Sequence, residues 1–99
     1  ESINRTVDPR KDLITQVRER VSILSLMPGA TQKSSDGRWW IDKCPFHDDE
    51  HPSFWIDTYR GICGCYAGCT PVPLDVVNLY ARLYGLTNRD AIFYLAKGV

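Results

Sequence analysis

The sequence predicts an α+β domain, a small antiparallel sheet flanked by an N-terminal helix and two C-terminal helices. Two changes of hydrophobic period predict it. Apolar residues recur at helical spacing near both ends, while the middle alternates aromatic and polar residues in short runs bounded by glycine and proline. A chain of 99 residues is one domain's worth, taken as residues 1–99. Its 43% hydrophobic and 24% charged content belongs to a folded protein rather than a disordered tail. At this size a core alone gives marginal stability, so a staple is expected.

The first helix, about 8–26, opens on the cap and first-turn signal Asp8-Pro9 and carries Leu13, Val17, Val21 and Leu24 at helical spacing. A break is expected near Ser22, and Pro28-Gly29 stops the helix. Thr31 to Gly37 is polar and turn-forming, with no strand assigned. RWWIDK, SFWIDTY and RGICGC then read as three short strands within a ribbon at about 38–69. Beyond Pro73 the helical period returns over about 73–97, with Leu74, Val77, Tyr80 and Tyr84 on one face and Gly85 as the stop. Thr87 caps a second helix, with Asp90 in its first turn and Ala91, Ile92 and Leu95 as its apolar face.

The chemistry lies in the middle. Cys44 and His47 form a CxxH pair, and Cys65 and Cys69 a CxxxC pair, separated by a stretch long enough for a hairpin. Two close pairs of soft ligands brought together by a hairpin are what tetrahedral zinc needs, and three thiolates with one imidazole leave no open position for substrate. The expected cofactor is one structural zinc ion per chain, which makes this a zinc ribbon. A catalytic zinc hydrolase would need one ligand replaced by water. Two disulfides are the competing use of four cysteines, but nothing in the sequence indicates an oxidising compartment. Cys63 is an alternative ligand to Cys69, and His51 an alternative to His47. The run Asp48-Asp49-Glu50 reads as a solvated loop rather than a magnesium site, because adjacent carboxylates point apart.

Twelve basic and twelve acidic residues cancel, so no bulk positive field draws the chain to polyanions, and any such site is a local patch. No apolar stretch approaches the roughly 18 residues of a membrane span. The start ESINRTVDPRK lacks the apolar core of a signal peptide. The expectation is a cytoplasmic protein with no membrane partner.

The residues CPFH, HPSF and LDVVNLYARLYGLTNRDAIFYLA resemble the N-terminal zinc-binding, CHC-type domain of bacterial DnaG-type primases. The resemblance places Cys44, His47, Cys65 and Cys69 in the four ligand positions and Pro52, Ser53 and Phe54 in the family's PSF turn. The CxxxC spacing followed by Thr70-Pro71-Val72-Pro73 departs from the replicative members, and resembles primase-like proteins of phages and mobile elements more closely. It implies a module that engages single-stranded template DNA for RNA primer synthesis, with nucleotidyl transfer performed by a separate catalytic domain. The other reading is a zinc-stapled module that docks on a helicase or a primase catalytic domain without touching nucleic acid.

The residues themselves offer a surface for single strands. Strand alternation puts Trp39 and Ile41 on one face of RWWIDK and Arg38 and Trp40 on the other, and in SFWIDTY sets Trp55 against Phe54 and Ile56. If Phe54 and Ile56 face the core, the opposite face is expected to show Arg38, Trp40 and Trp55, with Lys43, Tyr59 and Arg60 nearby. Cations beside flat rings are what unpaired bases stack on. The competing use of both tryptophans is as core, and Tyr80 and Tyr84, one helical turn apart, are expected to be core rather than a ligand site.

Overall fold

The structure, a computed structural model, describes residues 9–48 and 50–97. The proposed cap at Asp8 and the middle residue of the acidic run, Asp49, lie outside the described residues.

Helix α1 (Pro9–Arg20) ends before the expected boundary, at the anticipated break. Ser22 takes an extended conformation and its side chain accepts the Leu24 N–H at 3.2 Å, which starts a separate 3-10 turn at Ile23–Leu26. That redirection buries Ile23, while Leu24 packs at the edge of the core.

Four strands follow, β1 (Thr31–Gln32), β2 (Trp39–Asp42), β3 (Phe54–Asp57) and β4 (Ile62–Cys65), in an antiparallel meander of that order. Strand β1 corrects the expected turn-only segment. Both its residues are exposed and polar, so it carries no apolar signature. Backbone pairing of Thr31 with Ile41 and Gln32 with Trp40 defines it instead. The turn that folds β1 onto β2 is held by side chains: the Ser34 hydroxyl accepts the Trp39 N–H at 2.9 Å, and the Asp36 carboxylate accepts the Arg38 N–H at 3.0 Å.

Register decides the two faces. Trp40 lies opposite Ile56, Ile56 opposite Cys63, and Phe54 opposite Cys65. Directly opposed residues share a face, so Trp40 stands with Phe54, Ile56, Cys63 and Cys65, against which Ile23, Met27, Leu74 and Leu79 are buried. Trp39 and Ile41 stand with Trp55 on the other face. The expected grouping of Trp40 with Trp55 is therefore corrected: Trp40 belongs to the core face, half-buried, with its indole N–H donated to the Gly37 carbonyl at 2.8 Å.

Trp55 lies across Gly64, its partner on β4. A Cβ there would sit 2.8 Å from the Trp55 ring and 3.0 Å from Thr70 Oγ1. Gly64→Ala is expected to cost about 1–3 kcal/mol through overpacking, read as a lowered urea midpoint of the zinc-loaded protein. An unchanged midpoint would contradict this close approach.

Leu74 exchanges two backbone hydrogen bonds with Cys63, of 2.9 and 2.8 Å, so the chain stays extended past Pro73. Helix α2 (Val76–Tyr84) consequently starts later than expected, under a capping box between Asp75 and Asn78. Asp75 also receives Arg18 at 2.6 Å, tying α1 to the start of α2. Helix α3 (Asn88–Ala96) begins as expected at Thr87, whose hydroxyl accepts the Asp90 N–H at 3.1 Å. Val17, Val76, Val77, Ala81, Ala91 and Leu95 form a second core among the three helices. Tyr84 is not part of it: its ring is 62% exposed and leans on Tyr80 with centroids 4.6 Å apart.

Candidate metal centre

Two turns bring the soft ligands together. The first carries Cys44 and His47 just after β2, and the second carries Cys65 at the end of β4 with Cys69 beyond it. Gly68 takes a positive φ of 94°, which most side chains resist, and its N–H is donated to the Cys65 carbonyl at 3.2 Å. That curl returns Cys69 to face Cys65. One ligand atom from each of Cys44, His47, Cys65 and Cys69 lies within 4.8 Å of the others. His47 Nδ1 is 3.0 Å from Cys69 Sγ and 3.8 Å from Cys65 Sγ. Zn–S bonds of about 2.3 Å in a tetrahedron need donor separations of this size, so the residues fit a single zinc ion. The two alternative ligands stay outside: Cys63 Sγ lies 3.6 Å from the Leu74 carbonyl, and His51 is exposed.

The surroundings act in opposite directions on two of the ligand thiols, favouring the neutral form at Cys44 and thiolate at Cys65. Burial pushes the Cys44 thiol up to about 12, with the nearby Cys65 and Cys69 adding to the effect. Burial acts the same way on Cys65 but is outweighed by the N–H groups of Cys69 and Ala67, by the Cys44 thiol and by the Ser53 hydroxyl, which hold it down to about 6. The Ala67 N–H reaches Cys65 Sγ at 3.3 Å and the Phe46 N–H reaches Cys44 Sγ at 3.4 Å. Filling the site therefore displaces protons, and its affinity rises with pH.

The sequence assigned no supporting role at the metal site to Thr70, Ser53 or Arg82. Buried Thr70 accepts the Cys65 N–H on its hydroxyl at 2.8 Å, fixing the start of the second turn. The Ser53 carbonyl accepts the Tyr66 N–H at 2.9 Å, prolonging the β3–β4 pairing into that turn. From α2, Arg82 donates to the Cys69 carbonyl at 2.8 Å and lies 4.2 Å from the Phe46 ring centroid, so one guanidinium clamps both turns. The signals the sequence offers for them are the PSF turn that contains Ser53 and the position of Thr70 directly after Cys69.

A family model described as the CHC2 zinc finger, the zinc ribbon of DnaG, matches residues 9–99. The chain belongs to this family. A DNA primase of Staphylococcus aureus is 34% identical over 59 residues, which make up 60% of this chain and 10% of that protein. A Staphylococcus epidermidis DNA primase matches to the same extent. The chain thus covers about a tenth of the curated primases it matches. The crystal structure of Aquifex aeolicus primase, with its zinc-binding and RNA polymerase domains, superposes with a TM-score of 0.67 at 26% identity, over 86% of this chain and 21% of that one. The α+β architecture and the single zinc ion follow for this CHC2 domain. None of its described helices is long and apolar enough to cross a membrane.

The candidate nucleic-acid residues of the CHC2 domain do not all share a surface. Trp55 and Trp39 meet edge to face on the open side of the sheet, with centroids 6.4 Å apart, and Trp39 is 40% exposed. Arg38 lies 4.9 Å from the Trp39 ring and 5.3 Å from that of exposed Tyr59. Its guanidinium is also committed to the fully buried Asp57 through two hydrogen bonds of 2.9 Å. Lys43 is exposed just before the first ligand turn, and Arg60 is exposed in the β3–β4 turn. Trp40 stands on the other face.

Proposed function

We propose that residues 1–99 form the zinc-ribbon domain of a DNA primase or primase-like replication protein, and that it engages single-stranded template DNA in the cytoplasm for RNA primer synthesis. The observation that carries this reading is the open sheet face, where Trp39 and Trp55 present flat rings with Arg38 and Tyr59 beside them. Stacking of bases on such rings is worth about 1–3 kcal/mol each and tolerates any sequence. The zinc holds the ribbon, and nucleotidyl transfer falls to a primase catalytic domain, the natural partner together with a replicative helicase. Balanced charge predicts modest affinity that falls steeply with salt.

Titrating the zinc-loaded protein with single-stranded oligonucleotides, followed by tryptophan fluorescence, tests this. Trp39→Ala should weaken binding about tenfold, within the range of one lost stack. Lys43→Ala should reduce the salt slope by about one. Arg38→Ala is a poor probe, because it also unpairs Asp57. Unchanged affinity in Trp39→Ala, or no binding at low salt with zinc in place, would refute the reading.

A further inference from the structure

We propose that a groove of about 640 Å³ between the end of α1, the β3–β4 turn and the start of α2 is a binding site for a phosphate-bearing ligand. The argument starts from charge. The chain has no net charge, yet Arg18, Arg20 and Arg60 line this one groove. Arg18 neutralises Asp75 at 2.6 Å. The guanidinium groups of Arg20 and Arg60 have no ion-pair partner among the described residues. Glu19 is the one remaining acidic group on the lining, so the groove keeps a net positive charge.

Placement in a last helical turn accounts for Arg18 and Arg20, since cations are favoured there. It does not account for Arg60, which comes from a different part of the fold and lines the same space. Two guanidinium forks with no ion-pair partner among the described residues suit a multiply charged phosphate better than a single carboxylate, because each fork pairs with two oxygens. The rest of the wall is mixed: Ser22, Thr58 and Asn78 are polar, and Val21, Ile62 and Pro73 are apolar and able to flank a base. The size is that of a small-ligand site. Nucleoside triphosphates and the phosphodiesters of a strand share this chemistry. The site lies outside the tryptophan face and does not depend on it, although Arg60 was a candidate for that surface as well.

Amide NMR spectra of the isotope-labelled, zinc-loaded protein, titrated with tripolyphosphate, test the site. Saturable shifts are expected at Ser22, Gly61 and Ile62. Arg20→Gln should weaken the titration about tenfold, as loss of a charge-assisted bidentate contact does, and Glu19→Gln should tighten it severalfold. Tighter binding of ATP than of tripolyphosphate would identify a nucleotide site. Shifts of the same amides by a single-stranded oligonucleotide, with ATP unable to compete, would identify a strand phosphate. Trp39→Ala should leave the tripolyphosphate titration unchanged, so failure of template binding and failure of this site are separable. No saturable shift at these amides, or shifts indifferent to both Arg20→Gln and Glu19→Gln, would overturn the proposal.

Discussion

Stripping zinc from this domain with a strong chelator is expected to melt the sheet while part of the helical circular dichroism survives. The ligand cysteines are structural members of the first core: Cys44 and Cys65 are buried with Phe54 and Ile56, and Cys69 packs against them. Losing the ion leaves buried thiols in place of the bonds that join two turns. In small zinc domains the binding free energy is on the order of 10 kcal/mol and is effectively folding free energy. The helices have a separate core of Val17, Val77, Ala81, Ala91 and Leu95, which does not include the metal site. Cys65→Ser should reproduce the effect of the chelator. Cys63→Ser should keep its zinc, because that sulfur faces Leu74 and burial holds its thiol up at about 12. Metal analysis after gel filtration, with far-ultraviolet spectra, reads both variants. Zinc retained by Cys65→Ser, or released by Cys63→Ser, would require a different ligand set.

Asp57→Ala is expected to cost about 3 kcal/mol, the scale of charged hydrogen bonds lost from a buried carboxylate. Asp57 is fully buried and accepts from Arg38 twice, and from the N–H groups of Tyr59 at 3.1 Å and Arg60 at 3.3 Å. It therefore organises the β3–β4 turn and also anchors the cation beside Trp39. The Arg38 guanidinium, with help from those N–H groups and against burial, holds its carboxyl below the usual 3.8. A depressed folded-state pKa gives stability that is fully present above the unfolded value and is lost as pH falls through the folded one. Acid also releases zinc, so the informative quantity is the difference in urea stability between wild type and Asp57→Asn. That gap should be constant from neutral pH to about 5 and close below about 4. A gap that does not depend on pH would show that the carboxylate charge contributes nothing.

What the sequence by itself determined is local. The two ligand pairs lie within a turn of chain each, so a CxxH and a CxxxC pair are legible from spacing, while the exclusion of Cys63 and His51 as ligands came from the fold. The helical period at Val17 and along α2 and α3, the cap at Thr87 and the break at Ser22 also depend only on near neighbours. Tertiary structure decided everything that depends on which strand lies opposite which. A one-residue change of register exchanges the two faces of a strand, so only the pairing of Trp40 with Ile56 assigns Trp40 to the core and leaves Trp39 beside Trp55. Strand β1 is written in polar residues and exists through its partner's backbone. Arg38 looked like a free cation until the fold supplied Asp57, and Arg82 became a support of the zinc turns only when α2 was placed against them. Arg18, Arg20 and Arg60 gather because α1 packs beside a turn far along the chain. Spacing encodes what one segment can do alone, whereas faces, ion pairs and grooves are properties of two segments at once.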